Sequence, residues 1–269
     1  MSSKNPVLKN LPGAESQHGY GYQQGFDAPA SPQRGDVQGE RPMTIDDVTT
    51  KTGITLAVII AAALVSFWMW ATQQPLAPMV TLGGAIAAFI VVLVHAFGSK
   101  FGSPTLTLLY ATFEGLFLGG FSFIISGAAN VGGADAGAMI GQAILGTVGV
   151  FIGMLVVYRT GAIRVTPRFN RILTGVIFGV AVMALGNWLL AIFTGASPLR
   201  DGGTLSIIFG VVCVVLAALA FLQDFDLADR LVRTGAPERA AWGVALGLAV
   251  TLVWLYTEIL RLLSYVTDR

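Results

Sequence analysis

Charged residues are scarce in this chain. Of its 269 residues only 12% are Asp, Glu, Lys or Arg, while 54% are hydrophobic. A soluble domain carries about 25% charged residues. The deficit excludes a water-bathed globule and sets most of the chain against lipid or against other helices. The formal net charge is only +1, so no global field argues for a nucleic-acid partner. The lone cysteine, Cys213, lies in an apolar run; it can close no intrachain disulfide and reads as a small buried hydrophobe. Histidine is limited to His18 and His95, which leaves no HExxH pair for a metalloprotease. There is no Walker loop, no GxGD aspartyl signature and no serine with a membrane-embedded histidine partner, and the last apolar segment lacks the lysine of a retinal Schiff base. No cofactor is expected, and nothing argues for an enzyme. The first fifty residues hold no apolar h-region, so no cleavable signal peptide is expected.

What the chain does have is apolar runs of bilayer length. Residues 1–42, rich in Gly, Gln, Ser, Pro and Asn, read as a disordered tail, because little in them buries enough surface to offset the entropy of ordering. The remainder, 43–269, reads as one transmembrane domain. Thr44 and Asp47 have the spacing of a capping box, with Asp46 and Asp47 favoring the helix dipole; a short helix leading into the membrane is expected there. Seven apolar stretches follow, at residues 53–71, 77–97, 105–125, 137–158, 172–193, 204–223 and about 241–266, each near the ~20 residues that cross a bilayer. Turn-forming sequences such as "QQPLAP", "TGASPLRDGG" and "RTGAPER" separate them. Trp68 and Trp70 close the first stretch as interface anchors. The pairs Gly115/Gly119, Gly137/Gly141, Gly149/Gly153, Gly175/Gly179 and Gly243/Gly247 have the four-residue spacing that lets helix backbones approach closely. The fold class is thus an all-α integral membrane protein, a seven-transmembrane helix bundle.

Lysine and arginine orient it. The lead-in and the second, fourth and sixth connections hold Lys51, Lys100, Arg159, Arg164, Arg168, Arg171, Arg230, Arg233 and Arg239, whereas the other three connections hold only Arg200. The positive-inside rule puts the tail in the cytoplasm and, after seven spans, the C-terminus outside, in a cytoplasmic membrane.

Ionisable residues at membrane depth are few and are functional candidates by default. Glu114 lies near the middle of the third stretch and Glu258 in the outer half of the seventh. Asp224 closes the sixth, with Asp226 and Asp229 beyond it, and His95 lies near the end of the second. Each has a plain structural reading. Glu258 and Arg261, three apart, can pair on one helix face. Glu114 can serve as protonated interhelical glue. The three aspartates with Arg230 and Arg233 can form a solvated helix face, and His95 reads as an interfacial side chain. Asn187 and Gln142 read as interhelical hydrogen-bonding groups. The functional reading is a polar path lined by carboxyls, which suit hard cations such as calcium and can share protons.

"FEGLFLGGFS" in the third stretch, "FLQDFD" closing the sixth, "LYTEILRLL" in the seventh and the lead-in "RPMTIDDVTTKTG" together resemble the Bax inhibitor-1 family, in its bacterial YccA-like branch, over residues 41–266. The resemblance implies that the last helix is central and wrapped by the other six. It implies a pH-sensitive calcium or proton leak in which a carboxylate ending helix six latches onto one in helix seven. Asp224 matches the first position. Glu258 matches the second, where aspartate is usual. No fixed metal is expected, only transient calcium at Glu258 and Asp224. Counted along straight helices, Glu258 lies well above Asp224, and Glu114 is nearer to it in depth. Glu258, Asp224, Glu114 and Asp226 therefore stand as the candidate set, with Arg261 as a charge partner. The family also implies an alternative in another class, a membrane adaptor that modulates a membrane protease or a stress response without transport.

Overall fold

The computed structural model describes residues 41–98, 101–127 and 133–267. Seven helices follow one another: α1 Ile45–Ala71, α2 Ala77–Phe97, α3 Pro104–Ile125, α4 Gly133–Thr160, α5 Pro167–Thr194, α6 Thr204–Arg233 and α7 Ala240–Thr267. All seven are long and apolar enough to cross a membrane. The side on which α1 begins is called the near side below, and the opposite one the far side.

The helix starts follow local chemistry. The Thr44 hydroxyl accepts the Asp47 N–H, and the Asp47 carboxylate accepts the Thr44 N–H, so the expected capping box is complete. The expected lead-in helix is not a separate piece; it is the first turns of α1. Ser103 and Thr166 cap α3 and α5, each with proline in the first turn, where a missing N–H costs nothing. The sixth helix differs most from expectation, whereas the seventh matches it to within a residue at each end. α6 runs ten residues past the apolar stretch, to Arg233. Its polar extension pairs Asp226 with Arg230 at 2.6 Å and Asp229 with Arg233 at 2.9 Å, both one turn apart. Most of the supposed connection between α6 and α7 is therefore helix.

Arg41 and Pro42, the end of the expected tail, are seated on the α6–α7 connection; residues 1–40 lie outside the described residues. Pro42 bridges Pro237, and Met43 donates its N–H to Ala236. Arg41 binds Asp47 at 2.6 Å and Glu238 at 3.1 Å. Lys51 reaches Glu238 at 3.0 Å and lies over the Trp242 ring. The start of α1 is thereby strapped to the start of α7.

The last helix is central, as the family resemblance implies. It packs against α1, α3, α4 and α6, while α2 rests mainly on α3, and α5 on α6. One core joins Phe221 and Phe225 of α6 to Val244, Leu248 and Leu255 of α7, and a second joins Ile59 of α1 and Tyr110 of α3 to Leu246 and Val253 of α7. Glycine sets the closest approach. A Cβ on Gly115 or Gly119 would collide with the α1 backbone at Ile59 or Ala63, and one on Gly243 would meet the Phe101 ring. The pairs Gly137/Gly141, Gly149/Gly153 and Gly175/Gly179 face open space instead, so three of the five spaced pairs bring no helices together within the chain. Trp70, expected as an interface anchor, donates its ring N–H to Thr81 and stacks on Phe123, tying α1 to α2 and α3; Trp68 is exposed.

Candidate functional site

The site begins with the far-side connection between α5 and α6. Gly195, at φ +73°, ends α5 in the left-handed conformation that glycine adopts without strain. Asn187 of α5 accepts the Leu199 N–H at 3.0 Å. At the other end Asp201 accepts the Gly203 N–H at 2.9 Å and the Ser206 hydroxyl at 2.7 Å. Those two donors hold the Asp201 carboxyl below its usual range. Both ends of the connection are thus pinned by side chains of the helices it joins.

The pinned connection delivers Arg200 into the bundle. Its Nη1 donates to Glu258 Oε2 and its Nη2 to Glu258 Oε1, each at 2.8 Å. This is the parallel, two-bond geometry in which a guanidinium binds a carboxylate most strongly. The guanidinium also lies over the Phe209 ring of α6 at 5.2 Å. Glu258 is 3% exposed, so its charge is met almost wholly by this loop arginine.

The expected partner, Arg261, is a weaker neighbour. Its Nη1 is 4.0 Å from Glu258 Oε1, beyond hydrogen-bonding distance, and its guanidinium lies over Phe121 at 5.2 Å. The i, i+3 spacing brings the two groups close, but both Glu258 oxygens are already taken by Arg200.

Beside the pair is a cavity of about 330 Å³ between α2, α3, α7 and the far-side connection. Glu114, Arg200, Glu258 and Arg261 line its polar part; Phe89, Phe117 and Trp254 are among its apolar lining. Glu114 has no hydrogen bond or ion pair among the described residues. It ties no helices together; it lines the same cavity as Glu258, although the Thr107–Trp242 and Ser122–Tyr256 contacts set it lower in the bundle than Glu258.

Asp224 stands elsewhere. It accepts the Thr251 hydroxyl at 2.7 Å and lies beside Gly247 of α7. Thr251 precedes Glu258 on α7 by seven residues, about 10 Å along the axis. The Asp224–Glu258 latch is consequently not made. The extension of α6 carries Asp224 deeper than the end of the apolar stretch suggested, but not to the level of Glu258. Asp226 is engaged by Arg230 on the polar end of α6, away from the cavity. His95 tilts against Phe101, and Gln142 is exposed on α4. Among the described residues, no three acidic, histidine or cysteine side chains gather closely enough to hold a metal ion. Calcium at Glu258 and at Asp224 would meet two separate acids.

A family model described as Bax inhibitor 1 like matches residues 5–268. The chain belongs to this family. The match reaches beyond the 41–266 on which the resemblance was drawn and takes in most of the N-terminal segment. No curated protein matches the chain. Membership agrees with the multi-pass helical architecture and the central last helix.

Arg200 is the site residue that the sequence reading passed over. Its signal was present as an exception, the one basic residue in the three connections that the charge rule leaves bare.

Proposed function

We propose that this membrane protein is a pH-gated leak for cations, protons or calcium, closed on its far side by the Arg200–Glu258 pair. The observation that carries the reading is a loop arginine bound at 2.8 Å through both nitrogens to a buried carboxylate beside a cavity that holds a second acid, Glu114. The basic residues of the near-side connections favour a cytoplasmic near side and an outward-facing gate.

The pH sign follows from the charges. While Glu258 is ionised, Arg200 is held and the connection caps the cavity. Protonation removes the carboxylate and leaves Arg200 beside Arg261, two cations in one small space. Repulsion then favours withdrawal of Arg200, on its loop, into water. What remains in the cavity lining is Glu114 with Arg261, no longer a net positive barrier. Cys213 of α6 and Tyr265 of α7 are the other titratable groups near Glu258. Flux therefore rises as the outside is acidified.

The test is flux through liposomes loaded with a calcium dye or a pH dye. Wild type is expected to leak more as the external side is acidified. Glu258→Gln and Arg200→Gln are expected to leak at pH 8 and to lose the dependence. Wild-type vesicles silent at every pH would overturn the reading and leave the protease-adaptor alternative as the stronger one.

A further inference from the structure

The charges around Glu258 do not balance pairwise. Arg200 occupies both carboxylate oxygens. Arg261 is left with an aromatic face, and its side chain is only 19% exposed. A guanidinium has five N–H donors, and no acceptor among the described residues takes one from Arg261. Its nearest carboxylate oxygen, Glu258 Oε1 at 4.0 Å, is beyond hydrogen-bonding distance and is already bound by Arg200; donors left unfilled this deep are costly, which is reason to look for an acceptor supplied from outside the chain.

The cavity at which Arg261 lies is amphipathic. Arg200, Glu258 and Arg261 line its far-side end, while Ala85, Phe89 and Phe117 continue the wall with apolar surface. Phe89, in the middle of α2, is 63% exposed, so the α2 edge of the cavity borders the lipid-facing surface. A volume of about 330 Å³ is at the small end of the ~300–1,000 Å³ usual for ligand sites. It accommodates a headgroup and its first carbons, the rest of a chain remaining in the bilayer.

We propose that Arg261 binds the anionic headgroup, phosphate or carboxylate, of a membrane amphiphile that enters between α2 and α7 and lays its first carbons against Phe89 and Phe117. The occupant comes from the bilayer because the apolar wall and the lipid-bordering edge would be idle for a free inorganic anion. The guanidinium gives two parallel donors to either headgroup. Occupancy also supplies acceptors to the unfilled Arg261 donors beside the Arg200–Glu258 pair. The proposal requires no transport and goes beyond the leak reading.

The experiment uses the full chain in nanodiscs of neutral phosphatidylcholine. The probe is a fatty acid with a photoreactive diazirine near its carboxylate, and the control is the corresponding fatty alcohol. After irradiation, crosslinked peptides are mapped by mass spectrometry. The carboxylate probe is expected to label α2 and α7 around Phe89 and Trp254 at least tenfold more than the alcohol, and phosphatidylglycerol is expected to compete. Arg261→Gln is expected to lose about tenfold of that labelling and Arg261→Lys clearly less. Ala85→Trp, which fills the cavity from α2 and leaves Arg261 in place, is expected to lose it as well, so the result does not rest on one variant that might misfold. Equal labelling by acid and alcohol overturns the proposal. So does undiminished labelling of Arg261→Gln, or displacement of the probe by millimolar inorganic phosphate, which would mark a free-anion site. Labelling reads binding alone, so its failure leaves the leak reading intact, and silent vesicles leave this one intact.

Discussion

Removing either partner of the Arg200–Glu258 pair is expected to destabilise the protein unequally. The two groups are buried differently: side-chain exposure is 24% for Arg200 and 5% for Glu258. Arg200→Gln strands an ionised carboxylate in the bundle. Breaking a buried pair in this way costs about 3–5 kcal/mol, and the nearby Arg261, at 4.0 Å, brings the expectation to the lower end, about 3 kcal/mol. Glu258→Gln strands an arginine on a loop, and that side chain can swing into water. The cost is then chiefly the lost charge-assisted hydrogen bonds, about 1.5–3 kcal/mol. The double variant removes both charges together and is expected to be less destabilised than the sum of the singles by at least about 1 kcal/mol. Reversible unfolding in mixed micelles, followed by helical circular dichroism, measures all four species. Equal costs for the two single variants, adding without coupling, would refute the claim that this pair fastens the loop to the central helix.

Three further outcomes follow from the same geometry. Arg41→Ala is expected to speed proteolysis around residues 42–44 by releasing the strap to Asp47 and Glu238, while global stability changes little because the arginine is largely exposed. Gly119→Val drives a side chain into the α1 backbone and is expected to abolish folded expression, measured by size-exclusion profile; Gly175→Ala, with open space around it, is expected to be neutral or to stabilise by up to about 1 kcal/mol from helix propensity. The Asp201 carboxyl, held below its usual range by Gly203 and Ser206, contributes stability that is complete above the unfolded value of about 3.9 and fades only as pH falls through the lower folded value. Hydrogen exchange of the Gly203 amide is therefore expected to show constant loop anchoring from pH 8 to 5, and progressive loosening across that range would contradict it.

The apolar runs made the seven helices legible, because a chain with so few charges has few other ways to satisfy its backbone in lipid. The second helix begins and ends where its apolar run does, at Ala77 and Phe97. The sixth does not, since its last turns carry i, i+4 ion pairs that continue a helix after hydropathy has ended. Glu258 and Glu114 could be picked out one residue at a time, as acids in apolar surroundings. Their grouping could not, because it depends on which faces of α3 and α7 meet and on a loop whose course is set by Asn187 and Asp201. Arg261 looked like the partner because helical spacing is visible in a sequence, whereas the reach of Arg200, fifty-eight residues away from Glu258, is not. The glycine pairs teach the same distinction. Spacing marks a helix face that permits close approach, and only the tertiary fold decides whether a neighbour uses it, as α1 does at Gly115 and Gly119.

Stability alone does not account for an ion pair at this place. An apolar pair of similar volume generally serves a buried site as well or better, because neither partner must be stripped of water. A hydrophobic contact, however, would be indifferent to protons and would let the loop settle at several levels on α7. The bidentate pair allows one register, with both oxygens of Glu258 matched to two nitrogens of Arg200. It also makes the contact conditional on the ionisation of one carboxyl. In the proposed leak, arginine, whose charge does not vary at any relevant pH, is the constant half, and Glu258 is the half whose protonation would release the contact. A closure that must hold firmly in one state and release in another needs such an asymmetry. On that proposal the acid lies on the helix that α1, α3, α4 and α6 all pack against, while the arginine lies on the connection between α5 and α6.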